Sequence, residues 1–267
     1  MPRHVLIHPG FHKTGTSTLQ RNLQSQSAQL KDRLSVMLTD DVIEATRLAR
    51  KYSVHTREDV LTAFTNAFAD ALTRVDLANE RPLLLSSEAL LGQLPGRKKV
   101  SGYDAAAPLL QAAVGVLRNR IGDTVPVTVW FTTRDPEGWK KSAYYQNLRQ
   151  VRLREDFATH ATKLDRASRL DSFVALTRDA LAGLAAVTST RIEDCAAHPL
   201  GPMGVALDLL GVEHDNLAPV RPHNVQPQAG AQELLKLNRS NLTDDELAKA
   251  KRALIREYRK SGQTNRL

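Results

Sequence analysis

Residues 10–18, Gly-Phe-His-Lys-Thr-Gly-Thr-Ser-Thr, put two glycines, one lysine and four hydroxyls into nine positions. Glycines at 10 and 15 let a chain turn tightly with its amides facing inward, and free amides at the start of a helix attract a multiply charged anion. Lys13 adds a full positive charge. The chemistry this set suits is the binding of a phosphorylated nucleotide. The flanking residues can position such a loop: Val5, Leu6 and Ile7 read as a short buried strand, and Leu19, Leu23 and Leu30 mark one face of the helix that follows.

Gly10 is followed by four residues, then Gly15, Thr16 and Ser17, which is nearly the spacing of a Walker A loop. That loop needs lysine directly after its second glycine to reach the terminal phosphates. Here Thr16 holds that place and Lys13 stands three positions earlier. A lysine displaced into a KTGT sequence resembles the 5′-phosphosulfate loop of sulfotransferases that use 3′-phosphoadenylyl sulfate (PAPS). The resemblance implies that Lys13, Thr14, Gly15, Thr16, Ser17 and Thr18 bind this cofactor, with Lys13 also stabilising charge on the leaving oxygen.

The run Val125 to Phe131 reads as a buried strand that ends in TTRDPEGWKKSAYYQNLRQ. A guanidinium offers a bidentate fork for phosphate, a hydroxyl on the first turns of the next helix can donate beside it, and Pro136 suits the first helical turn. Sulfotransferases are similar here too, with an arginine at the strand end and a serine eight residues later gripping the 3′-phosphate. By that resemblance Arg134 and Ser142 hold it. Trp139, Tyr144 and Tyr145, on the same helix, read as core. No strand ends directly in a Walker B aspartate, and Asp135 reads as turn or helix-start chemistry.

Between these segments PLLLSSEALLG gives a strand, Leu83 to Leu85, ending in Ser86, Ser87 and Glu88. A carboxylate at the carboxyl end of a strand points at the usual ligand crevice, and it also favours the N-terminal dipole of a helix from Ala89 to Leu91. In carbohydrate and protein-tyrosine sulfotransferases a glutamate in a comparable place takes the acceptor hydroxyl's proton, and the resemblance gives Glu88 that catalytic role. His8 and His12 flank the loop and compete for it, because a histidine is the base in the cytosolic sulfotransferases.

The chain's 267 residues can bury one full core, and no Gly/Ser-rich or proline-rich linker divides them, so a single domain over 1–267 is expected. One cysteine, Cys195, excludes an internal disulfide framework and a cysteine-based zinc site and reads as a small buried side chain. A cytoplasmic address follows as the simplest expectation. No run approaches the roughly 20 apolar residues of a membrane helix. The net charge of +8 suits nucleic acid, a membrane surface or acidic ligands, but no zinc finger, aromatic RNA-binding signature or leucine zipper points to nucleic acid. Part of the charge lies in a terminal helix at about 243–260, started by a Thr243 and Glu246 capping box. Its Lys249, Lys251, Arg252, Arg256, Arg259 and Lys260 read as a solvated face, opposite Leu247, Leu254 and Tyr258.

Helical faces recur between the strands: Val60, Phe64, Phe68, Leu72 and Val75, then Leu109 to Ile121, then Leu170 to Leu181. Weak strands at Ser35 to Thr39 and Val187 to Ile192 complete an α/β alternation that calls for a parallel sheet. The order of elements resembles the sulfotransferases from Met1 to about Leu237, including a late segment Arg221 to Asn238. That resemblance implies a three-layer P-loop-type fold with a parallel central sheet flanked by helices. It implies PAPS as donor, 3′-phosphoadenosine 5′-phosphate (PAP) as product, no metal, and a hydroxyl acceptor on a carbohydrate or glycolipid. Two other readings share the first loop: a P-loop nucleotide kinase or ATPase, and a non-catalytic anion- or polysaccharide-binding protein on the same scaffold.

Overall fold

Strand β1 (Val5–His8) is buried along its whole length, as the middle strand of a parallel sheet must be. The computed structural model describes residues 1–219 and 230–260. From β1 the chain runs through α1 (Thr16–Ser25), α2 (Ser27–Leu30), β2 (Ser35–Met37), α3 (Ile43–His55) and α4 (Glu58–Leu72) to β3 (Leu83–Ser86). A single 3-10 turn, Glu88–Leu91, leads to α5 (Ala106–Ile121), β4 (Val127–Thr133), α6 (Pro136–Gln150), α7 (Phe157–Lys163), α8 (Asp165–Ser168) and α9 (Leu170–Ala180). Then come β5 (Ala186–Arg191), α10 (Ile192–Cys195), α11 (Gly201–Leu210), α12 (Ala231–Arg239) and α13 (Asp244–Lys260).

The five strands form one sheet in the order β2-β3-β1-β4-β5, and every pairing is parallel. Successive side chains of a strand point to opposite faces, and the core divides accordingly. Val5, Ile7, Leu83, Leu85, Val127, Val129 and Phe131 pack with residues of α3, α4, α5 and α9. Leu6, Leu84 and Trp130 pack with Leu19 and Leu23 of α1 and with Met203, Ala206 and Leu207 of α11. Because all strands run the same way, the turns after β1, β3 and β4 emerge together at one edge. That edge receives the loop at 10–15, Glu88 and Arg134.

Several sequence expectations are corrected in detail. The helix carrying Leu19, Leu23 and Leu30 is broken at Gln26, whose side chain donates to Ala218 O at 3.0 Å and accepts from Ala218 N at 3.1 Å. Leu30 stays buried, but on the separate α2. The Val125 run becomes strand only from Val127, since Pro126 has no N–H for the ladder. Lys251 is not on the solvated face of α13: it is 5% exposed and donates to Val151 O at 2.9 Å, and burial lowers its amine to about 8. The capping box forms as expected, with Thr243 N donating to Glu246 Oε2 at 2.8 Å and Glu246 N to Thr243 Oγ1 at 3.4 Å. Of the late segment, residues 221–229 lie outside the described residues and Ala231 to Asn238 belong to α12.

Helices α12 and α13 brace α6. Asn238 Nδ2 donates to Leu148 O at 3.0 Å, and Leu234 and Leu254 pack with Tyr144, Tyr145 and Leu148. The aromatic residues of α6 are therefore core, as their helical position suggested.

Candidate anion-binding and active site

Three residues of the first loop have left-handed backbones: Gly10 at φ +56°, Lys13 at φ +73° and Gly15 at φ +96°. Such a conformation costs a non-glycine residue roughly 1–3 kcal/mol, and it turns successive amides inward. Gly15 is also the N-cap of α1, where no side chain caps the helix and no acidic residue sits in the first turn. Thr18 and Leu19 already donate to Gly15 O, so the earlier amides of that first turn are left to an acceptor from outside the helix.

The loop's side chains divide into two kinds. Thr14 is fully buried, and its hydroxyl donates to Phe11 O at 2.7 Å and lies 2.9 Å from Thr132 Oγ1, so it staples the loop to β4. Among the described residues Thr16 Oγ1 is buried with no hydrogen-bond partner, which a native hydroxyl rarely tolerates. A Cβ at Gly10 would lie 2.2 Å from that oxygen, and one at Gly15 would lie 2.4 Å from Ile192 Cδ1, so a side chain at either place must displace a neighbour. Ser17 and Thr18 follow on the half-buried first turn.

A polar network at the same edge holds Ser86 and Ser87, the two residues before Glu88. Ser87 N donates to His8 O at 3.1 Å, Ser87 Oγ lies 3.0 Å from Thr39 Oγ1, and Gln20 Nε2 donates to Ser86 O at 2.8 Å. Strands β1, β2 and β3 and helix α1 are thereby tied around the turn that begins at Glu88. Burial raises the Glu88 carboxyl above its usual range, against the opposing pull of Lys13 and Arg50. Burial also lowers the Lys13 amine to about 8, with Glu88 pulling it up and Arg149, Arg134 and Arg97 pushing it down.

Arg134 closes β4, and Asp135 caps α6 by accepting from Gly138 N at 2.6 Å. Arg134 Nε lies 3.0 Å from where a Cβ on Gly138 would sit and has no hydrogen-bond partner among the described residues, though it pairs with Asp135 Oδ2 at 4.0 Å. Ser142 is one turn on from Gly138 and Arg149 two turns further, so they share that helix face. Trp139 Nε1 donates to His12 O at 2.8 Å and pins α6 to the loop. The structure thus brings Lys13, Glu88 and Arg134 into one charged cluster, with Ser142 on the adjoining helix face.

Three further cations act on that cluster, Arg50, Arg97 and Arg149, and none was singled out from sequence. Arg149 had a legible signal, its seven-residue spacing from Ser142. Arg50 and Arg97 had none, because they come from α3 and from the loop after the 3-10 turn. Arg97 is held by Asn147, with Nε donating to Oδ1 at 2.6 Å and Nη2 to Gln146 O at 3.3 Å.

Each of the two histidines has a partner of its own. His8 is fully buried between Ser86 Oγ at 3.0 Å and Thr132 Oγ1 at 3.1 Å, and burial lowers its pKa to about 3. His12 Nδ1 lies 3.3 Å from Tyr103 OH, and burial together with Arg97, Arg50 and Lys13 lowers it to about 3 as well. Cys195 is a buried free thiol, raised to about 12 by burial.

One grouping outside the cluster has metal-ligand residue types: His198, Asp208 and His214. His198 Nδ1 accepts from Leu200 N at 3.0 Å, which leaves the proton on Nε2, beside Asp208, and no free lone pair on the ring. An apolar groove of about 340 Å³ lined by Leu23, Leu30, Leu34, Val36 and Leu38 shares no residue with the charged cluster.

No protein-family model matches the sequence, and no curated protein matches it.

Proposed function

We propose that the chain is a PAPS-dependent sulfotransferase of the three-layer P-loop type, moving a sulfuryl group to a hydroxyl on a carbohydrate or glycolipid. The observation that carries this reading is that Lys13 and Glu88, both half-buried, feel each other's charge at the carboxyl edge of the sheet, beside an uncapped helix and Arg134. The placement of the glycine loop after the central strand of a 2-3-1-4-5 parallel sheet supports the P-loop assignment. Thr16 Oγ1, buried without a hydrogen-bond partner among the described residues, and Arg134, whose Nε meets only the Asp135 carboxylate at 4.0 Å, suit the two ends of a nucleotide with phosphates at both its 5′ and 3′ positions.

When bound, PAPS supplies an activated sulfuryl group on a phosphosulfate oxygen. The loop amides with Gly15, Thr16, Ser17 and Thr18 hold the 5′-phosphate, and Arg134 with Ser142 holds the 3′-phosphate. Lys13, still mostly charged at neutral pH, stabilises the charge that develops on the leaving oxygen. Glu88 takes the proton of the attacking hydroxyl, and burial makes its carboxylate a stronger base than an exposed glutamate. Metal has no role assigned to it here, because Lys13 and the arginines supply the positive charge.

The test is PAP release from PAPS across a panel of hydroxyl acceptors, run beside phosphate release from ATP with Mg²⁺. Acceptor-dependent PAP release supports the reading. Turnover of ATP with Mg²⁺ alone assigns the chain to the kinase or ATPase class instead. PAP binding with no turnover on any acceptor assigns it to non-catalytic binding.

A further inference from the structure

A chain of four hydrogen bonds crosses the sheet edge from β3 to the first loop, and the count of protons fixes the direction of each. Thr14 Oγ1 lies 2.7 Å from Phe11 O, a carbonyl that can only accept, so the one hydroxyl proton of Thr14 is spent there. Across the 2.9 Å between Thr14 Oγ1 and Thr132 Oγ1 the donor is then Thr132. Thr132 has no second proton, so across the 3.1 Å to His8 Nε2 the ring donates. Burial keeps His8 neutral, and its Nδ1 therefore carries a lone pair that accepts from Ser86 Oγ at 3.0 Å.

Ser86, His8, Thr132 and Thr14 are all fully buried, so water does not compete for these bonds. The imidazole is also wedged in place: its centroid lies 4.7 Å from that of the Trp130 ring, and a Cβ on Gly10 would lie 3.0 Å from its Cε1. His8 ends β1, Ser86 ends β3 in register with it, and Thr132 is next to last in β4. Each charged residue of the site then follows a member of the chain by two positions: Lys13 follows Phe11, Glu88 follows Ser86 and Arg134 follows Thr132. One buried ring thus joins the three segments that carry the charges.

We propose that His8, as its Nε2–H tautomer, is a positioning residue that holds the Lys13 loop in register with the Glu88 and Arg134 turns. This rests on the reading of those three residues as the site of sulfuryl transfer. It gives His8 no proton transfer with substrate, since both ring nitrogens are spent inside the chain. The donor arm is the one the loop needs. With Nε2–H pointed at its oxygen, Thr132 turns its own proton to Thr14, and that anchorage holds a loop in which Lys13 keeps a left-handed backbone at φ +73°. Glutamine carries an amide N–H at about the reach of Nε2, and leucine carries none.

The first measurement needs no nucleotide: a long-range proton–nitrogen correlation spectrum of the full chain at pH 7 should show His8 as the neutral Nε2–H tautomer. An Nδ1–H or charged ring overturns the proposal. PAP titration then tests the positioning. His8→Leu and Thr132→Val should each weaken PAP about tenfold or more, their combination should be no weaker than the weaker single variant because both cut one chain, and His8→Gln should stay within about threefold of the native chain. Native affinity in folded His8→Leu, additive losses, or His8→Gln no better than His8→Leu overturns the proposal. Where His8→Leu does not fold, Thr132→Val and His8→Gln decide it. Failure of the sulfotransferase reading shows separately, as absent PAP binding in the native chain. The comparison then moves to the Glu88 carboxyl, followed by carbon NMR with and without Lys13→Met: the change in its titration should be halved or lost in Thr132→Val, and a change of native size there overturns the proposal.

Discussion

The Glu88 carboxyl and the Lys13 amine stand half-buried on the turns after two neighbouring strands, and each offsets part of the other's desolvation. A carboxylate that feels the charge of an ammonium and of nearby arginines is suited to take a proton while the ammonium meets developing negative charge. Removing either charge must therefore show in the titration of the other as well as in the rate.

Glu88→Gln keeps size and shape but cannot accept the acceptor's proton, so sulfuryl transfer should fall roughly hundred-fold or more, the usual loss of a general base. PAP affinity should hardly change. If Glu88 only favours the short 3-10 turn, the substitution should cost a few tenths of a kcal/mol and leave the rate intact. Parallel assays of His8→Gln and His12→Gln expose the competitor bases: a normal Glu88→Gln enzyme beside a dead but folded histidine variant would move the role to that histidine.

Lys13 is predicted to set a pH limit on nucleotide binding. Its amine titrates at about 8 in the folded chain, so PAP affinity should weaken as pH rises from 7 to 9. Lys13→Met should bind PAP weakly at every pH and lose that dependence. Affinity that stays flat from pH 7 to 9 in the native chain would remove Lys13 from the anion site.

Gly15→Ala tests the loop's geometry on stability. A left-handed alanine costs about 1–2 kcal/mol before any clash, and its Cβ would lie 2.4 Å from Ile192 Cδ1. Urea unfolding should show at least that loss. Gly15→Ala/Ile192→Ala should not recover the backbone part, whereas full recovery to the stability of Ile192→Ala would mean that crowding alone explains the glycine.

His8 predicts how stability depends on acid. Its folded pKa of about 3 lies below the unfolded value near 6.5, so between those values the unfolded chain binds the extra proton and stability falls as pH falls. His8→Asn should be destabilised at pH 7.5 by about 1–3 kcal/mol, since Ser86 and Thr132 lose a partner. The deficit relative to the native chain should narrow at pH 4.5. A deficit equal at both pH values would mean that His8 does not titrate as its burial implies.

The sequence made the sheet edge legible because its chemistry lies in contiguous strand-to-turn segments: Lys13 to Thr18 after β1, Glu88 after β3, Arg134 after β4. The alternation of apolar runs and helical faces was enough to expect the α/β class and the parallel sheet. What it hid depends on tertiary approach. Arg50 reaches Glu88 only because α3 packs on the following turn at Gly92 and Ser53, and Arg97 is aimed by Asn147, fifty residues away. Thr14 looked like a ligand from its neighbours, yet its hydroxyl is committed to Phe11 and Thr132. Lys251 looked solvated from its helix, yet the end of α6 supplies a carbonyl that draws it in.

The most direct measurement is calorimetric titration with PAP and with AMP, without metal, on the native chain and on Arg134→Ala. The account predicts that PAP binds the native chain much more tightly than AMP, because Arg134 with Ser142 recognises the 3′-phosphate. It predicts that Arg134→Ala weakens PAP by about 2 kcal/mol or more while leaving AMP nearly unchanged. Equal affinity for PAP and AMP, or a folded Arg134→Ala chain with an unchanged PAP dissociation constant, would contradict it.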